Sequence, residues 1–203
     1  STLYGIVAAF LAITFAALAA YAISTLNIKG KMFWFLFIYS GTIFPFQMYL
    51  IPVFRMYLAV NLYDTRIGLI IFYTAICIPF CIFVLRNFFI SISGEIVESA
   101  KLDGASDFII FLKLFIPMAQ APLSALFLFQ YTWVWNDLLF GMTFVKSKLA
   151  RPIMSSLSML SGTGGVSHTP AVLLAALIAS VPTLLIFIAL SKSFEQGFII
   201  QAK

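Results

Sequence analysis

Charged side chains are scarce in this chain of 203 residues: 9% are Asp, Glu, Lys or Arg, whereas 63% are hydrophobic. An ordinary soluble domain carries about 25% charged residues, which cover its core. Twelve basic and seven acidic residues are too few for that task, so the composition excludes a soluble globular fold. The net charge of +5 comes from cations scattered singly among apolar residues, which indicates a membrane-topology bias and not a polyanion partner.

Cysteine and histidine are also scarce, with two Cys and one His in the chain. Cys77 and Cys81 lie one helical turn apart in an apolar run, where a thiol usually behaves as a small hydrophobe. A CxxxC pair alone lacks the ligands of a zinc site, so neither a metal nor a disulfide framework is expected. Nucleotide-binding, Ser-His-Asp and HExxH signatures are missing as well. We therefore expect a protein that is not an enzyme and holds no cofactor of its own.

Long apolar runs dominate what remains. Five of them reach about 20 residues, the length that an α-helix needs to cross a hydrocarbon core. The first run has no basic region before it and is read as a true span, not a signal peptide. The sequence therefore predicts an all-α, polytopic transmembrane helical bundle, and because the chain begins with Ser we expect one further span before it. The five runs are residues 3–23, 33–54, 67–85, 123–145 and 171–190.

Loop charges give an orientation for these spans. With the C-terminus inside, the predicted cytoplasmic segments hold seven cations and the external segments hold five. Cytoplasmic loops of membrane proteins carry an excess of Lys and Arg. The count favours a cytoplasmic C-terminus.

The polar segment, residues 91–118, holds six of the nineteen charged residues. Ser93 can cap a short amphipathic helix whose apolar face carries Ile96, Val97 and Ala100. On its polar face, Glu98 and Lys101 are spaced to form an i,i+3 ion pair. Such a concentration of charge predicts contact with something other than lipid.

A turn divides this segment into two helices. Asp103-Gly104 ends the first helix because Gly tolerates the left-handed conformation, and Ser106 can begin a second helix that ends near Pro117. A rigid helix–turn–helix suits docking into a groove of a partner protein. The alternative is an interfacial helix lying on lipid headgroups, which the acidic residues Glu95 and Glu98 disfavour.

A longer pattern runs through both predicted helices. It consists of an acidic residue and two small ones, a glycine after three further residues, and, nine residues later, two aliphatic residues and a proline. This pattern resembles the EAA loop of permease subunits in bacterial binding-protein-dependent ABC importers, with Ser99 where the family usually has Ala. Residues 85–89 and 135–137 are similar to the carbohydrate-uptake branch, in particular to its maltose-permease G-like subunits. The residues of the pattern are Glu98, Ser99, Ala100, Gly104, Leu114, Ile116 and Pro117.

The resemblance implies a single permease domain over residues 1–203, with six spans in the complete chain and a cytoplasmic coupling loop at residues 91–118. It implies a multi-pass protein of the bacterial plasma (inner) membrane that forms half of a pathway for a sugar or oligosaccharide. The implied partners are a second permease subunit, two ATPase subunits that bind ATP and Mg, and an extracytoplasmic binding protein. The implied ATPase-coupling residues are Glu98, Ser99, Ala100, Asp103, Gly104 and Ala105.

Polar residues inside the apolar runs are candidates for the translocation pathway. Trp135, Asn136 and Asp137 could line a polar cavity, because indole faces stack on sugar rings while amides and carboxylates bond hydroxyls. An ionisable residue within a span often marks function. For Asp137 a structural role, as a cap against a neighbouring helix, is favoured over sugar contact, and Gln47 carries the same two alternatives with less weight.

A glycine-rich stretch lies in the predicted external segment, residues 146–170. It lacks the Lys-Ser or Lys-Thr of a phosphate loop. By resemblance it corresponds to the region that reaches toward the binding protein, and the alternative is an ordinary connector. Its candidate contact residues are Gly162, Gly164, Gly165 and His168.

Two rival functions remain at this stage. A stand-alone secondary transporter would commonly show internal repeats and ionisable groups at the membrane midplane, and the sequence offers no repeat and only Asp137. An integral membrane enzyme would need a catalytic constellation near an interface, and none is visible. An ABC importer permease is therefore the leading hypothesis.

Overall fold

The computed structural model describes the backbone of residues 1–162 and 169–201 and the side chains of residues 1–160 and 170–191. All regular structure in these residues is helical, as the sequence predicts. In chain order the elements are α1 Thr2–Thr25, α2 Lys31–Ser40, α3 Gln47–Ala59, α4 Arg66–Ile90, α5 Gly94–Leu102, α6 Asp107–Ile110, a π-helical segment Phe111–Phe115, α7 Ile116–Met118, α8 Gln120–Asn136, α9 Leu139–Phe144, α10 Ile153–Gly162 and α11 Thr169–Gln201.

The centre of the bundle is α1, which packs against α4 and α8. A stripe of alanines at four-residue spacing covers one face of α1, and its members have no exposed surface. Four-residue spacing places side chains on one helical face, and small residues let helix backbones approach closely in a membrane. The remaining surface of α1 carries large exposed apolar side chains, including Leu3, Phe10 and Phe15. The stripe consists of Ala8, Ala12, Ala16 and Ala20.

Among the described residues, three helices are long and apolar enough to cross a membrane: α1, α4 and residues Pro170–Ser191 of α11. A fourth span results if Asp107–Met118 and Gln120–Asn136 are taken together, although the two are bent by 74°. The predicted runs 3–23, 67–85 and 171–190 therefore correspond to single helices.

The predicted span at residues 33–54 is wrong as a continuous helix. Here α2 ends at Ser40 and α3 begins only at Gln47. Pro45 lies in the interruption, where it removes a backbone donor and disfavours helical geometry in the residue before it. By contrast, Pro79 and Pro182 lie inside α4 and α11 without interrupting them.

The predicted span at residues 123–145 is also divided. Helix α8 starts earlier, at Gln120, and ends at Asn136, after which α9 runs from Leu139 to Phe144. The residue at the break, Asp137, has an extended backbone conformation with ψ of 127°. Helix α11 packs along α8 and closes that side of the bundle.

Candidate functional site

The turn inside the polar segment is built as the sequence predicts. Helix α5 ends at Leu102, and Gly104 has a φ of +81°, in the left-handed region that favours glycine. The amide of Gly104 donates to the carbonyl of Lys101, and the amide of Ala105 donates to that of Ala100, both at 3.0 Å. This pair of bonds is the Schellman arrangement that closes a helix on a left-handed residue.

The caps and the ion pair of the polar segment differ in part from prediction. Ser93 occupies the N-cap position of α5, but its side chain makes no capping hydrogen bond. The Ser106 hydroxyl does cap the second helix, accepting from the amide of Ile109 at 3.4 Å. Lys101 pairs with Asp107 at 3.1 Å, so the predicted pairing with Glu98 is wrong. The turn carries the first residue of α6 back to the last turn of α5, and this brings Asp107 close to Lys101.

The polar segment has two faces. Val97, Ala100 and Ala105 pack against the buried core cluster of the bundle. On the other side, the Leu102 side chain is 89% exposed and that of Phe108 is 62% exposed. Ile96 is also exposed, which corrects its predicted place on the inner face. Exposed large apolar side chains beside exposed acids mark a surface suited to a protein partner.

Aromatic rings join the second half of the segment to the spans. Tyr21 of α1 lies with its ring centroid 5.2 Å from that of Phe111 and 4.8 Å from that of Phe115. Phe89 of α4 lies 5.1 Å from Phe115. Phe111 and Phe115 bound the π-helical segment and are buried. Aromatic pairs in this distance range are attractive, so the polar segment is packed directly onto α1 and α4.

The break between α8 and α9 is held by a carboxylate. Asp137 Oδ2 accepts hydrogen bonds from the Tyr73 hydroxyl at 2.7 Å and from the Gly141 amide at 2.9 Å. Asp137 Oδ1 accepts from the Phe140 amide at 3.4 Å. The side chain thus caps α9 and ties it to α4, which is the structural interpretation of this residue.

A groove of about 540 Å³ opens beside this break, and we call it the α8–α9 groove. Of the predicted pathway candidates, Gln47, Asn136 and Asp137 line it together. Trp135 does not: its Nε1 donates to the carbonyl of Ala179 at 3.0 Å, and the residue is buried. The described residues that line it are Phe46, Gln47, Phe129, Thr132, Trp133, Asn136, Asp137, Leu138, Leu139 and Phe140.

Trp133 is a groove residue that the sequence reasoning missed. Its ring centroid lies 5.7 Å from that of Phe46. The signal was present in the spacing, because Trp133, Asn136 and Asp137 stand at i, i+3 and i+4, which share a helical face. Trp135 stands about 200° around the helix from Trp133 and therefore faces α11.

A second missed residue is Asp64, in the loop before α4. Asp64 has a φ of +59°, and its Oδ1 accepts hydrogen bonds from the amides of Lys146 and Ser147, each at 2.8 Å. These backbone hydrogen bonds, from Ser147 first and then from Lys146, lower the pKa of the Asp64 carboxyl. Arg66 adds a bond from Nη2 to the Leu149 carbonyl at 2.8 Å. The loop after α9 is thereby fastened to the loop before α4.

The predicted binding-protein contacts fall at the edge of what the structure describes. Gly162 is the last residue of α10, and Gly164, Gly165 and His168 lie outside the described residues. Among the described residues, no group of three or more His, Cys, Asp or Glu side chains could hold a metal ion. Cys77 and Cys81 are buried free thiols.

The architecture defines a polytopic membrane bundle with a protruding helix–turn–helix. Residues 5–202 match the family model described as the binding-protein-dependent transport system inner membrane component, and the chain belongs to this family. This confirms the resemblance drawn from the EAA-like pattern.

Individual relatives agree with this membership. The chain is 36% identical over 158 residues, 78% of its length, to a probable ABC transporter permease protein of Pyrococcus horikoshii. It is 31% identical over 194 residues, 92% of its length, to the alpha-glucoside transport system permease protein AglG of Rhizobium meliloti. These alignments span 57% and 50% of the relatives' own lengths.

A solved structure shares the fold. It is the crystal structure of a bacterial ABC transporter involved in the import of the acidic polysaccharide alginate. The TM-score is 0.78 at 26% sequence identity, covering 95% of this chain and 71% of that one. The predicted all-α membrane bundle is thus the fold of an ABC permease.

Proposed function

We propose that the chain is a permease subunit of an ATP-driven importer, forms half of the translocation pathway for a sugar or oligosaccharide, and docks its polar segment on separate ATPase subunits. ATP and Mg bind on those subunits, and this chain hydrolyses nothing. Two of its relatives are named for the transport of alpha-glucosides and of trehalose, which supports a sugar substrate. The rival secondary transporter gains no support, since the relatives are ABC permeases.

The observation that carries the proposal is the two-faced polar segment. Its outer face presents Leu102, 89% exposed, beside exposed Glu95 and Glu98. Covering a leucine side chain in a partner's groove contributes about 1.5–3 kcal/mol. Its inner face meets Tyr21 and Phe89 through the aromatic cluster. A displacement of the docked face is therefore delivered directly to α1 and α4.

The remaining assignments follow from this docking. We place the polar segment and the C-terminus on the cytoplasmic side, with the chain in the bacterial inner membrane. A second permease subunit completes the pathway, in which Gln47, Asn136 and Asp137 take part. The extracytoplasmic binding protein is assigned to the opposite side, with residues 162–168 as its contact. Glu98, Ser99, Ala100, Asp103, Gly104 and Ala105 form the coupling set.

The experiment compares two equally exposed leucines in the reconstituted transporter. Leu102→Ser should weaken association with the ATPase subunits by about tenfold, because it removes most of one leucine's apolar surface from the interface. The matched control is Leu149→Ser, since Leu149 is 84% exposed on a different loop, and it should leave ATPase association unchanged. Co-purification and binding-protein-stimulated ATP hydrolysis provide the readouts.

Either of two results would refute the assignment. One is equal ATPase association in the Leu102→Ser variant and the wild type. The other is substrate uptake that continues when no ATPase subunit is present, which would make the chain a secondary transporter.

A further inference from the structure

The α8–α9 groove combines aromatic surface with unpaired polar groups. Phe46 and Trp133 supply the rings, at a centroid distance of 5.7 Å and an interplanar angle of 63°. Gln47, Thr132 and Asn136 supply amides and a hydroxyl. Within the described residues, the side chains of these three make no hydrogen bond. Two amides and one hydroxyl thus stand free at the rim of an aromatic surface.

Free amides are unusual in such a setting. Polar side chains within membrane segments are expensive unless bonded and often mark substrate paths. Recognition sites for small molecules combine apolar or aromatic walls with a few placed polar groups. A pyranose ring offers an apolar C–H face for an indole and hydroxyls around its edge for amides. The groove matches that pattern of surfaces.

The charge of the residues lining the groove limits which class of sugar it can accept, neutral or acidic. Within the part of the chain that the structure describes, its ten lining residues include one ionisable side chain, Asp137, and no Lys, Arg or His. Hydrogen bonds from the Tyr73 hydroxyl and the Gly141 amide hold the Asp137 carboxylate in this position. A ligand carboxylate in the groove would meet a like charge, with no cation among the described lining residues to offset it.

We propose that the α8–α9 groove is a saccharide subsite contributed by this subunit, that Trp133, Gln47 and Asn136 contact the sugar, and that Asp137 excludes acidic sugars in favour of neutral ones. The inference rests on the proposed function and adds to it which residues of this chain contact the sugar and which charge class they accept. Trp133 provides the stacking surface, and the two amides bond hydroxyls. Asp137 acts at a distance, through its charge.

The test measures saccharide binding to the complete transporter, purified in detergent without its binding protein. Equilibrium dialysis uses radiolabelled maltose and trehalose as neutral probes and digalacturonate as the acidic probe. At least one neutral disaccharide should bind saturably and about tenfold more tightly than digalacturonate. Trp133→Ala should weaken that binding by about tenfold. The matched control is Trp34→Ala on α2, an exposed tryptophan outside the groove, which should bind as the wild type does.

Gln47→Ala and Asn136→Ala keep the proposal testable if Trp133→Ala fails to fold. Both side chains are exposed and bonded to no described residue, and each loss should weaken binding about fivefold. The subsite is refuted if neither neutral disaccharide binds, if digalacturonate binds as tightly, or if the groove variants bind like the wild type. The Leu102 experiment separates this failure from that of the proposed function, because ATPase association does not involve the groove.

Discussion

Two helix breaks, each containing an aspartate, are built on different principles. At Asp103-Gly104 the backbone makes the turn: Gly104 has a φ of +81°, and two main-chain hydrogen bonds close it. At Asp137 the backbone is extended, and the side chain makes the break by accepting bonds from Tyr73, Phe140 and Gly141. The first turn is exposed, whereas at the second Asp137 is half-buried and its partners Tyr73, Phe140 and Gly141 are buried.

The difference follows from the surroundings of each break. An exposed turn finds water for its polar groups, so a local glycine motif suffices. A break inside a membrane bundle must satisfy its freed backbone groups from within the protein, and a carboxylate that accepts several hydrogen bonds does this in one residue. The exposed break presents a surface, while the interior break keeps a groove open.

Disrupting the exposed turn at Gly104 should have the strongest effect on the transporter. Gly104→Pro should abolish the stimulation of ATP hydrolysis in the reconstituted transporter, because proline fixes φ near −65° and cannot adopt the left-handed conformation. No atom lies within 4 Å of a Cβ built at Gly104, so the variant acts through the backbone: it changes the conformation and removes the amide that donates to Lys101. Gly104→Asn is the control, since Asn tolerates this region, and it should keep most of the stimulation. If Gly104→Pro and Gly104→Asn both kept the wild-type stimulation, the left-handed turn would not be needed for coupling.

The second effect concerns the interior break. Asp137→Ala should destabilise the protein by about 2–4 kcal/mol, because the Tyr73 hydroxyl and the Gly141 amide lose their acceptor in a buried setting. Tyr73→Phe removes one of these bonds and should cost about 1 kcal/mol. Unfolding in detergent micelles measures both. Equal stability of Asp137→Ala and the wild type would mean that the backbone holds this break as well.

The third and weakest effect is expected at Asp64. This residue combines the features of the two breaks, a φ of +59° and a carboxylate bonded to two amides. Its folded pKa is lowered, so the carboxylate's contribution is present above the unfolded pKa and is lost as pH falls through the folded value. Asp64→Asn should raise the exchange rate of the Lys146 and Ser147 amides about tenfold at neutral pH. As the pH falls through the lowered folded pKa of Asp64, variant and wild type should converge. A constant difference across the pH range would contradict this.

Local signals predicted local structure well. Glycine and serine chemistry located the turn at Gly104 and the start of the second helix at Ser106, because both depend on neighbours within a few residues. Apolar length found α1, α4 and α11. It failed at residues 33–54 and 123–145, where Pro45 and the side chain of Asp137 divide runs that are long and apolar enough to cross.

Partners distant in the chain escaped sequence reasoning. The Asp137–Tyr73 bond joins residues 64 positions apart, and the bond from Asp64 to Lys146 joins residues 82 positions apart. In neither pair does the sequence around one residue indicate which distant residue is its partner. Lys101 shows the same limit at short range, since two residues, Glu98 and Asp107, were within reach, and the geometry of the turn selected Asp107.

The alanine stripe of α1 limits which substitutions this helix can accept during evolution. Ala8, Ala12, Ala16 and Ala20 have no exposed surface, so a single added methyl group has no space to occupy without moving α4 or α8. Phe10 and Phe15, on the outer face, can exchange with other large apolar residues at little loss. We therefore expect substitutions in α1 to be tolerated on its exposed side and not on its alanine side.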